Sequence, residues 1–322
     1  MKKHITINAS KRPQKVLTVA IVSMLLSACG GGGGSGGTVP TTPTSTVTPF
    51  TSWDAVANNS TVVVPGMSQE AILTTDQAAK RVTFIGTPTA VDKAASAFSE
   101  TLNLSGAITK LVITSPTGSV TFDTAAGASI GHLALAIDPT INFAINADSI
   151  AFAADPSKQG WNYQSFGVWE TGRVAGSGNS GVMSVGAPTA GAAIPTSGTA
   201  TYTGKSVGFY TDATGVGNTT FSVVTVNADF AARTLGLSTT GTFKTSDYST
   251  TSLAPNLDLT GTLSYAAGTN SFAGNVTNGG TLSGTSSGRF YGPGAQELGG
   301  VFILQAGSGI PETYGGAYGA KK

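Results

Sequence analysis

Few side chains in this sequence are spaced for chemistry. Cys29 is the only thiol in 322 residues, so no disulfide forms within the chain. His132 is the only histidine beyond position 4. One imidazole builds no zinc site without acidic partners at ligand spacing, and no such cluster surrounds it in the sequence. As a single axial ligand it is enough for haem. The 16 acidic residues are scattered, with no close pair suited to general acid–base work. Gly284-Thr285-Ser286-Ser287-Gly288 matches G-x-S-x-G, but a nucleophile elbow needs a strand-to-helix turn, a histidine and an acid. Gly176-Ser177-Gly178-Asn179-Ser180-Gly181 matches G-x-G-x-x-G with no helix to follow, so it cradles no phosphate. The expectation is a protein without catalytic or metal-ligating residues, with haem at His132 as the one conceivable cofactor.

The cysteine has a use of its own. Lys2, Lys3, Lys11, Arg12 and Lys15 precede an apolar run from Val16 to Leu26, of signal-peptide length and too short to cross a bilayer as a helix. Leu26-Ser27-Ala28-Cys29 closes that run and resembles the bacterial lipobox. The resemblance implies cleavage before Cys29 and acylation of its thiol. Several acyl chains on one residue anchor stably, whereas one is marginal. Gly30, rather than aspartate, follows, which resembles the rule for export to the outer membrane. Residues 30–49 begin with five glycines and continue through Thr/Pro repeats, a tether with a reach of roughly 25 Å. Such a length suits a partner approached from the aqueous side.

Five of the 17 basic residues lie in 1–28, which leaves 12 against 16 acidic ones in the processed chain. There is no basic patch, so nucleic acid is not a partner. With 44 glycines, many Thr, Val and Ser residues and only 10% charged residues, the chain reads as all-β. Residues 50–198 contain strand-like runs at 61–65, 81–85, 108–114, 119–122, 141–145 and 149–152. An Ala-rich stretch at 91–98 reads as a short helix, and 172–181 as a flexible loop. Trp161, Tyr163, Phe166 and Trp169 crowd one segment; with Trp53, they suit packing between domains better than an interface anchor.

Residues 199–322 hold eight strand candidates at short intervals, at 199–210, 219–230, 233–244, 256–265, 270–277, 281–291, 300–304 and 312–318. Leu257, Leu259, Gly261, Leu263 and Tyr265 alternate with polar residues. So do Leu235, Leu237, Thr239, Gly241 and Phe243, and also Val224, Val226, Ala228 and Phe230. A period of two over consecutive segments means a sheet buried on one face. Eight such strands close economically into a soluble barrel whose last strand pairs with its first, and closure removes exposed edges. Glu297, set between turns, is expected to accept backbone N–H groups or pair with a base. Pro293-Gly294 suits a type II turn. The loops at 212–218 and 245–255 are the accessible ones, and their Asp212, Asp247 and Tyr248 are the candidate partner-binding residues.

Gly288-Arg289-Phe290-Tyr291-Gly292-Pro293-Gly294-Ala295-Gln296-Glu297-Leu298-Gly299-Gly300-Val301-Phe302 resembles the signature of the β-barrel domain of transferrin-binding protein B and its relatives. The closing Gly316-Ala317-Tyr318-Gly319-Ala320-Lys321-Lys322 resembles the end of that domain. Phe166-Gly167-Val168-Trp169 and 194–204 resemble its entry. The resemblance implies a β-rich handle domain at 50–198 and an eight-stranded barrel at 199–322, after a signal at 1–28 and a lipidated tether at 29–49. It implies a surface lipoprotein of the outer membrane that captures an iron- or haem-related ligand or a host protein. Its companions would be an outer-membrane translocator and a TonB-dependent receptor. Transferrin binders of this kind have two lobes and this chain has room for one, which points to a smaller or different target; haem capture, adhesion and immune evasion are the alternatives.

Overall fold

The computed structural model describes residues 49–76, 81–85, 87–174, 176–307 and 312–322. The signal, Cys29 and nearly all of the tether lie outside the described residues. Two antiparallel sheets make up the rest. The first comprises β1 (Thr61–Asp76), β2 (Arg81–Ile85), β3 (Asp92–Leu102), β4 (Ile108–Ser115), β5 (Gly118–Asp123), β6 (Ser129–His132), β7 (Ile141–Ile145), β8 (Ile150–Ala154), β9 (Gln164–Glu170) and β10 (Ser177–Gly186). Their order is β5-β4-β3-β1-β10-β9-β8-β7-β6, with β2 on β1. The second comprises β11 (Thr199–Thr211), β12 (Gly217–Asp229), β13 (Thr234–Thr245), β14 (Ser252–Leu253), β15 (Thr260–Tyr265), β16 (Ser271–Thr277), β17 (Ser283–Tyr291), β18 (Glu297–Gln305) and β19 (Thr313–Lys321). β19 pairs with β11 and β12 with β13, so the eight long strands close into a barrel, with β14 a short flap on β13.

The alternating residues fill this barrel. Val224, Val226, Ala228 and Phe230 meet Leu235, Leu237, Leu259, Leu263 and Tyr265 in one buried cluster. Phe290 sits at its centre, with Tyr265 and Phe272 ring centroids at 5.4 and 5.3 Å. A buried ring of this kind contributes about 3–5 kcal/mol, judged by what truncating it to alanine costs. Two of the hydroxyls inside are paired, Tyr318 with Ser286 at 3.0 Å and Tyr314 with Thr220 at 3.2 Å, while the buried Tyr265 hydroxyl has no partner. Ser286 of the G-x-S-x-G match is therefore a buried strand residue in β17, not a nucleophile at a turn.

Several local expectations differ from what the fold adopts. Residues 92–102 form strand β3, not a helix, because they are hydrogen-bonded between β1 and β4 with Ser96, Phe98, Glu100 and Leu102 turned inward. Pairing on both sides overrides the alanine preference for helix. The second half of the 172–181 segment, from Ser177, opens β10 rather than a loop; its glycines serve close approach, since a Cβ at Gly181 would fall 2.0 Å from the Trp169 ring. Pro293-Gly294 forms no type II turn. The left-handed residues are Gly292 (φ 85) and Ala295 (φ 55), and Gln296 Oε1 accepts from the Gly294 N–H. Phe243 is not on the barrel's interior face. Gly241 (φ 64) makes a bulge in β13 where the register with β12 shifts, and every later side chain changes face. Phe243 then stacks outside the barrel on Phe221, centroids 5.3 Å apart at 23°.

That outer face is where the two sheets meet. Met67, Phe152, Phe166, Val168 and Val182 of the first pack on Val207, Phe209, Phe221, Val301, Ile303 and Ala317 of the barrel. Trp161 belongs to this junction, while Trp53 and Trp169 belong to the core of the first sheet, so the tryptophans pack rather than protrude. Polar ties reinforce the junction. Glu297, 1% exposed, accepts from the Asn162 N–H with Oε1 at 2.8 Å and from the Tyr163 N–H with Oε2 at 2.9 Å. Burial holds its carboxyl above the ordinary range, against the pull of those N–H groups and Lys321. Lys205 of β11 donates to Asp138 of the β6–β7 connection at 2.6 Å.

Candidate partner-binding surface

The junction fixes which barrel loops lie beside the first sheet. β11 and β12 are joined at residues 212–216, and the Gly215 carbonyl accepts from the Val82 N–H of β2 at 2.8 Å. Gly217 and Asn218 belong to β12, paired with Thr211 and Tyr210, so this loop is shorter than its sequence suggests. The Asp212 carboxylate accepts from the N–H groups of Thr214 (2.8 Å) and Val216 (3.0 Å). Partial burial opposes its ionisation, but the bonds from Thr214 and Val216 and the nearby Lys244 charge outweigh that and lower its pKa. Asp212 thus shapes its own loop and leaves Val216 at the surface.

The β13–β14 connection does the same with Asp247. Its exposed carboxylate accepts the N–H groups of Ser249 and Thr250, both at 2.9 Å, and these hold it well below the usual carboxylate range. Tyr248 departs from the expected exposed anchor. Its ring is partly buried against Phe152, centroids 5.4 Å apart, and its hydroxyl is 3.0 Å from Thr219 Oγ1. Burial pushes its phenol upward. After β14, Ala254 and Leu257 turn inward and cover the mouth of the barrel, so of this connection only 246–253 is free to face a partner. Leu253 is 80% exposed there, and Val174, in the neighbouring β9–β10 connection, is 67% exposed. The sequence-predicted Asp212, Asp247 and Tyr248 therefore share one end of the molecule, where the two carboxylates hold loops open and the tyrosine ties one loop to the junction.

His132 lies elsewhere, at the end of β6. Its Nε2 is 2.8 Å from Asp155 Oδ2, with both side chains almost buried. Asp155 also caps the short helix Pro156–Gln159 through the Ser157 and Lys158 N–H groups. Among the described residues, no three His, Cys, Asp or Glu side chains converge on one point. On the side of the barrel away from the first sheet, an open groove of about 710 Å³ is lined by Thr260, Thr262, Asn275, Thr285 and their neighbours, without a charged side chain.

Sequence reading missed Lys205–Asp138, Glu170 and Gln164. The first had a signal, a lone lysine between Gly204 and Ser206 inside a strand. Gln164 had none. It is fully buried with both amide atoms lacking a hydrogen-bond partner, pressed between Gly299 and Gly319 of the barrel.

Residues 194–322 match the family model described as the C-lobe and N-lobe beta barrels of Tf-binding protein B. A search of curated proteins gives no significant match. Among solved structures, the chain is similar to a point mutant of transferrin binding protein B from Haemophilus parasuis Hp5, at 12% identity and TM-score 0.40, covering 82% of this chain and 76% of that one. It is similar to the mutant protein from Actinobacillus pleuropneumoniae H49, at 14% identity and TM-score 0.41, covering 80% and 99%. It is also similar to the isotype 1 protein from serogroup B Neisseria meningitidis, at 16% identity and TM-score 0.38, where it covers 72% of this chain and spans 52% of that one. The barrel at 194–322 is thus of the type that this family model describes.

Proposed function

We propose that this chain is a lipid-anchored surface protein of the outer membrane that captures a host protein connected with iron, or a haem-carrying protein, without catalysing a reaction. The barrel match carries the reading. The Cys29 motif and the long tether support presentation away from the membrane. The loops at 212–216 and 246–253 are the surface proposed to meet the partner, since loops on a rigid scaffold are the usual seat of recognition. An outer-membrane translocator and a TonB-dependent receptor complete the expected machinery.

Two experiments test it. Cys29→Ser should remove fatty-acid labelling and release the protein from membranes; retention of the variant with no label on the wild type would sink the anchor. Detergent-extracted mature protein should then be titrated with iron-loaded transferrin, a haem-carrying protein and free haem. Replacing 212–216 or 246–253 with a short Gly/Ser turn should weaken the positive titration at least tenfold, about 1.4 kcal/mol. Undiminished affinity in both variants moves the site off these loops. A haem Soret band lost on His132→Ala would replace protein capture with haem capture, and no binding in any titration refutes the reading.

A further inference from the structure

The end of the molecule opposite the proposed partner-facing loops is the end from which the tether leaves. The Phe50 ring sits edge-on to Trp53 there, centroids 4.8 Å apart, and the Trp53 N–H donates to the Asn162 carbonyl at 2.8 Å. From Trp53 the chain crosses to the β3–β4 turn, where the Asn59 N–H donates to the Asn103 carbonyl, and then enters β1. β1 runs 16 residues to its far end, where the Thr75 N–H donates to the Gly176 carbonyl of the β9–β10 connection. At roughly 3.3 Å per residue the two ends lie about 50 Å apart.

The tether-side end carries apolar loop tips. Connections between strands are normally polar. The β6–β7 connection opens instead with Leu133-Ala134-Leu135-Ala136-Ile137. Leu133 and Ile137 root it in the junction core, and the Ile137 N–H turns back onto the Ala134 carbonyl at 2.9 Å. That leaves Ala134, Leu135 and Ala136 in solvent. Leu135, 85% exposed, is the most exposed large apolar side chain among the described residues, and Leu104 on the β3–β4 turn is 77% exposed.

Cations flank these tips. Lys158, Lys321 and Lys322 are exposed, and the Lys321 ammonium donates to the Gly160 carbonyl at 2.7 Å, beside the short helix. The neighbouring acids are largely paired: Asp138 with Lys205, Asp155 with His132 and Asp123 with Lys110. Asp229 and Arg233 offset each other on the β12–β13 turn, and exposed Asp54 opposes the three lysines alone. The surplus at this end is positive.

We propose that this end is a base that rests on an anionic lipid surface: Leu135 and Leu104 enter the boundary between headgroups and acyl chains, and Lys158, Lys321 and Lys322 meet lipid phosphates. Exposed apolar side chains with basic neighbours are the combination that binds a membrane interface. The position of the tether selects a bilayer as the occupant. It leaves from this end, and with a reach of roughly 25 Å it holds these tips near the headgroups. Removing one leucine from water strengthens binding about tenfold, and each lysine near an anionic surface adds about fivefold. Such a contact is weak for a free protein, but a tether makes docking intramolecular. Resting on this base turns the loops at 212–216 and 246–253 outward, the posture that capture requires. The inference rests on the proposed anchor for its setting.

The test supplies the anchor chemically. Cys29 is the only thiol, so mature chain 29–322 can be coupled through it to a maleimide-headgroup lipid in vesicles of mixed phosphatidylcholine and phosphatidylglycerol. Trp53, Trp161 and Trp169 are buried and give a constant background. Leu135→Trp should be quenched by brominated acyl chains, and Leu253→Trp at the far end should not. Lys158→Gln should lower the docked-to-undocked ratio about fivefold, and vesicles of phosphatidylcholine alone should lower it about a hundredfold, the joint effect of three lysines. Hydrogen exchange on the coupled wild-type chain, which needs no variant to fold, should slow at 134–137 and not at 246–253. An unquenched Leu135→Trp, equal quenching at both ends, unchanged exchange at 134–137, or a ratio indifferent to phosphatidylglycerol overturns the proposal. Neither natural acylation nor a captured ligand enters these readouts, so failure here leaves the anchor and capture readings standing, and their failure leaves this test intact.

Discussion

Removing the Glu297 carboxylate should uncouple the two sheets. Glu297→Ala leaves the part-buried Asn162 and Tyr163 N–H groups without their carboxylate acceptor. Hydrogen bonds to a charged group are worth about 1.5–3 kcal/mol each, and a buried donor left unpaired bears its full desolvation cost. Two such donors give a loss of about 3–5 kcal/mol. Glu297→Gln keeps one acceptor oxygen but turns an NH2 towards the second N–H donor, so about half of that loss should remain. Folded domains have only about 5–15 kcal/mol in hand, so the alanine variant should be visibly compromised. Trp161 lies in the junction and Trp53 donates its indole N–H to the Gln164 carbonyl, so tryptophan fluorescence reports on this region during urea unfolding. The expected result is an earlier midpoint and, if the junction fails before the barrel, a second transition. A Glu297→Ala protein within about 1 kcal/mol of wild type, with one unchanged transition, would show that these N–H groups find water or other partners and that the junction is held by apolar packing alone.

Other consequences can be checked on the same protein. Gln164→Met removes two unpaired buried amide atoms while roughly keeping volume, so urea unfolding should show unchanged stability or a gain of about 1 kcal/mol. Gly241→Ala places a side chain in a left-handed bulge with no neighbour within 4 Å and should cost about 1 kcal/mol, from backbone strain alone. Gly288→Ala would set a Cβ 2.2 Å from the Phe272 ring and 2.5 Å from the Gly299 carbonyl, so it should disrupt barrel assembly and thermal unfolding far more. Thermal midpoints should peak in mild acid. The carboxyls of Glu170 and Glu297 are raised by burial, so their contribution is greatest below 4.5 and declines as pH rises. Asp92 and Asp212 are lowered, the hydrogen bonds from Ser96 and Thr214 outweighing burial, so their contribution is present above 3.8 and is lost as pH falls further. A midpoint that rises from pH 5 to 8 would contradict this.

How much of the molecule was legible in the chain depended on whether a feature was local. The strands from 219 to 265 could be read from their alternation, because a residue's side of a strand follows from its neighbours two positions away. Glu297 was legible as an acceptor of backbone N–H groups because a carboxylate between turns in an apolar context has few other ways to be satisfied. Other features were decided only by contacts far apart in the sequence. Phe243 carries the right parity for the interior, yet the Gly241 bulge, set by register against β12, turns it outward. Residues 91–98 have the composition of a helix, but β1 and β4 lie ready to pair with strand β3 on both sides. Tyr248 reads as a loop-tip aromatic until Phe152, 96 positions earlier, covers it. Glu170 and Gln164 have no sequence signal, since what distinguishes them is the second sheet pressed over them. Propensity and periodicity are properties of short segments, whereas burial, register and the pKa of a junction carboxyl belong to the assembled pair of sheets.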